Sequence, residues 1–193
     1  MEAFLIAAGV VALAEIGDKT QLLSLMLAAR YRSPWAISAG IFIATLFNHA
    51  LAATVGESVF EWIGPDWMRW TVGLSFIAMA VWILIPDRLD EDEEGSAEKK
   101  LRRYGVFVMT TVLFFLLEMG DKTQVATAIL AARFNDLTPV VLGTTAGMLI
   151  ANVPLVFFGN ILLRKIRIEW VHRVTAVIFL TLGIVTLVGM PLL

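Results

Sequence analysis

The sequence predicts an all-α integral membrane protein: six transmembrane helices arranged as two inverted three-helix repeats, with both termini outside. Three observations carry this expectation. First, the 193 residues are 59% hydrophobic with a mean hydropathy of +0.81, whereas a soluble domain is nearer half apolar. Apolar runs of about 20 residues, enough to cross a bilayer, recur along the chain. Second, one shift of 103 residues superimposes the chain on itself from Glu15 on Glu118 to Phe76 on Phe179. Three helices per half is an odd number, so the second half must enter the membrane from the opposite side. Third, 15 Lys and Arg are unevenly placed. Setting aside Lys19 and Lys122, eleven fall on one predicted side: Arg30, Arg32, Arg88, Lys99, Lys100, Arg102, Arg103, Arg164, Lys165, Arg167 and Arg173. Arg69 and Arg133 fall on the other. The excess of cations marks the first side as cytoplasmic.

The elements follow in order. A helix is expected over 3–29, a second over 35–58 after Pro34, and a third over 67–86 after the break at Gly64-Pro65. These make a first repeat, residues 1–86. The stretch 87–103, DRLDEDEEGSAEKKLRR, is acidic first and basic last and reads as a solvated cytoplasmic linker. The second repeat, 104–193, holds helices over 104–131, 138–163 and 170–190, with Pro139 near the start of the fifth and Pro191 after the sixth. The chain opens MEAFLIAAGVVALAE with Glu2 its only early charge, which does not read as a cleavable signal. Trp35, Trp62, Trp67 and Trp70 lie near predicted helix ends, as interface anchors do.

Two apolar runs carry nearly the same polar insert. EIGDKTQ occupies 15–21 and EMGDKTQ occupies 118–124. Both inserts fall near mid-membrane at a rise of 1.5 Å per residue. A charged group there costs about 3 kcal/mol on insertion scales, so six of them ask for a function. In an unbroken helix Glu15 and Asp18 share a face with Lys19 at its edge, and Glu118, Asp121 and Lys122 repeat the pattern. Gly17 and Gly120 allow close approach or local unwinding, which would expose carbonyl oxygens.

Brought together by two-fold symmetry, four carboxylates and two lysines sum to −2, which one divalent cation neutralises. Without metal, crowded buried carboxylates take up protons instead. The same oxygens then hold either M²⁺ or H⁺, as a cation–proton antiporter requires. Glu15, Asp18, Glu118 and Asp121 are the candidate metal ligands. Gln21, Gln124, Asn48 and Asn152 can add amide oxygens, and Thr20 and Thr123 hydroxyls. This set suits hard ions such as Ca²⁺, Mn²⁺ and Mg²⁺. Lys19 and Lys122 read as charge-balancing groups. Asn48 and Asn152, near the middle of helices two and five, serve as well for interhelical hydrogen bonds. His49 reads as a packed, hydrogen-bonded residue, with a proton relay as the alternative. Small residues at spacing four (Gly40, Ala44, Ala52 and Gly56; Gly143, Gly147, Ala151 and Gly159) predict close-packed helix interfaces. Pro154 would kink the fifth helix and free a carbonyl. With no cysteine and only His49 and His172, thiolate and histidine-rich metal sites are excluded. No basic patch with interleaved aromatics points to nucleic acid.

On these motifs the chain resembles the Glu-x-Gly-Asp-(Lys/Arg)-(Thr/Ser) family, whose members include Golgi calcium/manganese–proton antiporters and bacterial manganese exporters. The signature stands twice, as Glu15-Ile16-Gly17-Asp18-Lys19-Thr20 and Glu118-Met119-Gly120-Asp121-Lys122-Thr123. The resemblance implies Ca²⁺ or Mn²⁺ transport out of the cytosol against protons, with the acidic motif residues carrying the site. The short chain looks like a bacterial member, which implies Mn²⁺ export across the inner membrane. The metal is then a substrate, no resident cofactor is expected, and the partners are the ion, protons and the bilayer. A fused repeat can work as a monomer, although oligomeric state is not readable. Rival readings are a passive cation channel, a non-transporting scaffold subunit and an intramembrane aspartyl protease. The last usually carries Gly-x-Gly-Asp where this chain has Glu15 or Glu118, so an enzyme is not expected.

Overall fold

The computed structural model describes residues 1–63, 65–85, 104–159 and 168–189, except the side chains of 60, 61, 65, 66, 168 and 169. Among them the chain is all helical: α1 Glu2–Glu15, α2 Lys19–Tyr31, α3 Pro34–Ile63, α4 Pro65–Trp82, α5 Val106–Glu118, α6 Lys122–Phe134, α7 Leu137–Phe158 and α8 Ile168–Val188. The linker 87–103 lies outside the described residues, as do Pro191, the end of the predicted fifth helix and most of the cations behind the predicted orientation.

Two single helices expected from the sequence are each two. The span 3–29 breaks after Glu15 and restarts at Lys19, and 104–131 breaks after Glu118 and restarts at Lys122. The cause is local. Gly17 and Gly120 take φ of +88° and +77°, a region open to glycine and costly to residues with a Cβ. Ile16 and Met119 just before them are extended. Glu15 and Asp18 therefore do not share a helix face, nor do Glu118 and Asp121, because no helical turn connects them. A 14-residue helix such as α1 rises about 21 Å, short of an apolar core of about 30 Å. Segments of α3, α7 and α8 (Pro34–Val59, Leu137–Phe158 and Trp170–Val188) are long and apolar enough to cross alone.

Helices pack across the halves. α1 lies on α7, and α5 lies on α3. A Cβ on Gly143 would meet the Phe4 carbonyl oxygen at 2.5 Å, and a Cβ on Gly40 would meet the Phe107 carbonyl oxygen at 3.0 Å. These are matched positions, 103 apart, and Gly56 and Gly147 are also closely approached; Gly159 instead caps α7 with nothing within 4 Å of an added Cβ, which corrects its place in the small-residue row. α4 packs on α8, where Phe76 meets its own counterpart Phe179 with ring centroids 6.0 Å apart. Both phenylalanines are fully buried. Helix α7 continues through Pro154. The four anchor tryptophans are exposed, as side chains at a lipid interface would be.

Candidate metal centre

Each break places two carboxylates at helix ends. Glu15 is the last residue of α1, and Asp18 is the N-cap of α2, accepting from the Thr20 backbone N–H at 3.3 Å. Glu118 closes α5, and Asp121 is the N-cap residue of α6. A carboxylate at a helix N-terminus is favoured by the dipole, as at Asp18, which caps α2, and at Asp121, which makes no side-chain capping bond. Glu15 and Glu118 instead stand at negative helix ends, where a cation is favoured.

The two breaks meet. One carboxylate oxygen from each of Glu15, Asp18, Glu118 and Asp121 lies within 4.8 Å of the others, and all four residues are buried. Ca²⁺ sits about 2.3–2.6 Å from its oxygens, so opposite ligands stand about 5 Å apart. The cluster has the size of one coordination sphere. Glu15 Oε1, Glu118 Oε1 and Asp121 Oδ2 are buried with no hydrogen-bond partner. Orphaned carboxylate oxygens of this kind call for a cation or a proton.

Around them the halves repeat their contacts. Thr20 Oγ1 donates to Glu15 Oε2 at 2.6 Å, and Thr123 Oγ1 to Glu118 Oε2 at 2.8 Å. Gln21 Oε1 accepts from Gly17 N at 2.9 Å, and Gln124 Oε1 from Gly120 N at 2.6 Å. The glutamines thus hold the broken turns, and their NH₂ groups reach across to the other half. Gln21 Nε2 donates to the Ala151 carbonyl at 3.1 Å, and Gln124 Nε2 donates to Asn48 Oδ1.

Further contacts surround the two motifs. Lys19 Nζ pairs with Asp121 Oδ1 at 2.8 Å, across the halves and not with Glu15 four residues back. Lys122 Nζ donates to the Ile85 carbonyl at 2.7 Å. Asn152 donates to Glu15 Oε2 at 3.2 Å and accepts from Ser24 Oγ at 2.9 Å. Asn48 donates to the Phe115 carbonyl at 3.3 Å. Both asparagines therefore make interhelical hydrogen bonds. His49 is fully buried and packed as expected, but neither ring nitrogen has a partner, which corrects the expectation that it is hydrogen-bonded.

The sequence reading passed over three residues. Ser24 holds Asn152; His172 Nε2 lies 3.1 Å from the Ile16 carbonyl oxygen; and Thr175 Oγ1 donates to the Leu13 carbonyl at 3.3 Å. The last two cover the break between α1 and α2. Their counterparts 103 residues earlier are Arg69 and Val72. Correspondingly, Ile16 and Gly17 are partly buried while Met119 and Gly120 are exposed. Met119 and Gln124 border a groove of about 360 Å³ that Leu51, Ala52, Val55, Val125 and Ala128 complete.

Residues 3–91 and 106–191 match the profile of a family described as the divalent cation/proton antiporter GDT1. A Vibrio cholerae protein named as a proposed manganese exporter is 50% identical over 187 residues, covering 96% of this chain and 90% of its own. A GDT1-like protein of Synechocystis is 27% identical, covering 91% of this chain and 92% of its own. GDT1-like protein 5 of Arabidopsis thaliana is 27% identical over 91% of this chain and 90% of its own. No solved structure matches the chain.

Proposed function

Since the chain belongs to the GDT1 family of divalent cation/proton antiporters, which are transporters and not enzymes, we propose that it exports Mn²⁺ from the cytoplasm in exchange for protons. Ca²⁺ is the alternative substrate. The observation that carries this reading is the convergence of four buried carboxylates, from two broken helices, on one ion-sized space. Glu15, Asp18, Glu118 and Asp121 bind the ion. Thr20, Thr123, Gln21 and Gln124 shape the site through the hydrogen bonds given above, with Asn48 and Asn152 behind them. Lys19 and Lys122 offset part of the carboxylate charge. Protons compete for the same oxygens, so metal release and proton uptake are one event.

The wider frame is six crossings in two inverted repeats, 1–86 and 104–193. Both termini lie outside, and 87–103 is in the cytoplasm of a bacterial inner membrane. Matched contacts at positions 103 apart support the repeat, and the Lys and Arg distribution supports the orientation. Rocking of one repeat against the other would expose the site alternately to the two sides.

Calorimetric titration of the purified protein with Mn²⁺ tests the site. One ion per chain is expected, with affinity falling as pH falls because protons compete. Glu118→Gln should weaken binding at least about tenfold while leaving the thermal unfolding profile intact. Unchanged Mn²⁺ affinity in folded Glu118→Gln would place the metal elsewhere.

A further inference from the structure

His49 is fully buried on α3, and both of its ring nitrogens lack a partner. A buried polar ring without a partner is costly to keep. The register of the repeat gives it a role. The shift of 103 residues pairs His49 not with another histidine but with Asn152. Asn152 is the side chain that reaches Glu15 Oε2 at 3.2 Å. The neighbouring positions obey the same register. Ala151, whose carbonyl takes Gln21, is the counterpart of Asn48, whose side-chain oxygen takes Gln124. Ser24, which holds Asn152, is the counterpart of Thr127. Glu15 Oε2 takes two donors, Thr20 and Asn152, whereas Glu118 Oε2 takes Thr123 among the described residues; both glutamates keep Oε1 buried without a donor. The second half therefore has one donor fewer on its glutamate, and an orphaned ring at the position of that donor.

The two halves also differ in closure. His172 and Thr175 cover the carbonyls of the first break, while Met119 and Gly120 of the second are exposed. We infer that His49 is a positioning residue for Glu118: in the conformation opposite to this one, its ring donates to the Glu118 carboxylate as Asn152 donates to Glu15 here. This rests on the alternating-access reading, in which the halves exchange their states. The ring works as a neutral donor, and Glu118, not His49, faces the ion. The donor also makes the halves chemically distinct, imidazole in one and amide in the other.

Mn²⁺ transport into sealed vesicles containing the purified full-length protein tests this. His49→Leu should lower the maximal rate at least about tenfold while KM stays within about threefold, because turnover and not ion capture needs the second state. His49→Asn, which installs the donor used by the other half, should keep the rate within about threefold of wild type. A ring that merely fills space predicts the opposite order, since an apolar Leu relieves its unsatisfied nitrogens. A folded His49→Leu protein transporting at the wild-type rate overturns the inference, as does a folded His49→Asn protein slowed tenfold. Should the Leu variant fail to fold, the Asn variant decides alone. Wild-type vesicles that move no metal would overturn the transport reading itself, and the inference with it.

Discussion

Asn152 joins three groups at one point: the Glu15 carboxylate, the Ser24 hydroxyl and the α7 backbone at Met148. Leucine in its place would fit by volume but strand the buried Ser24 hydroxyl and leave Glu15 Oε2 with Thr20 as its donor. Leaving a buried polar group without a partner costs about 1–3 kcal/mol, or roughly a tenfold or larger loss in an equilibrium constant. Asn152→Leu is therefore expected to weaken Mn²⁺ binding at least about tenfold, as read by calorimetry, with a smaller effect on the unfolding temperature. Equal affinity in the variant would show that Asn152 does not shape Glu15. The acidic residues of the site were legible in the sequence because charge in an apolar run has no cheap explanation. Ser24, His172 and Thr175 were not. Many hydroxyls in these helices simply return to their own backbone, as Thr110 does to Val106 and Thr144 to Val140. Nothing in the sequence separates Thr175 from them. Asn48 and Asn152 share a residue type, yet their register differs by one from the repeat, and only the contacts make that difference meaningful.

At the level of elements, the decisive feature is a helix that stops inside an apolar run. The sequence reading admitted unwinding at Gly17 and Gly120 but drew continuous helices, since apolar composition runs through both breaks. What the composition hides is backbone: extended residues at Ile16 and Met119, then glycine at positive φ. A Cβ on Gly120 would meet no atom within 4 Å, so a substitution there reports conformation alone. Gly120→Ala should destabilise the fold by about 1–2 kcal/mol through its positive φ and reduce Mn²⁺ transport beyond the loss of folded protein. Gly9, inside α1, also has open space for a Cβ. Gly9→Ala should be neutral or stabilise by about 0.5–1 kcal/mol, because alanine is the better helix former. Thermal unfolding of the two variants side by side checks this. Equal stability of both would mean that the glycine at the break is not needed for its conformation.

For the whole molecule, the 103-residue shift was the most legible feature of the sequence. It rests on many positions obeying one shift, and the packing of Phe76 on Phe179, with Gly40 and Gly143 each against matched neighbours, is what a two-fold relation yields. The inequality of the halves was not legible. Nearly identical motifs gave no hint that one break would be covered and the other exposed. An antiporter needs two inequivalent states, and a near-symmetric chain can reach both by exchanging the roles of its halves. The most direct measurement is simultaneous recording of Mn²⁺ and proton movement in sealed vesicles containing the purified protein, with Ca²⁺ as the comparison ion. An imposed Mn²⁺ gradient should drive protons the opposite way, and an imposed proton gradient should drive Mn²⁺ uphill. Mn²⁺ movement without any accompanying proton movement would contradict exchange and leave a passive channel.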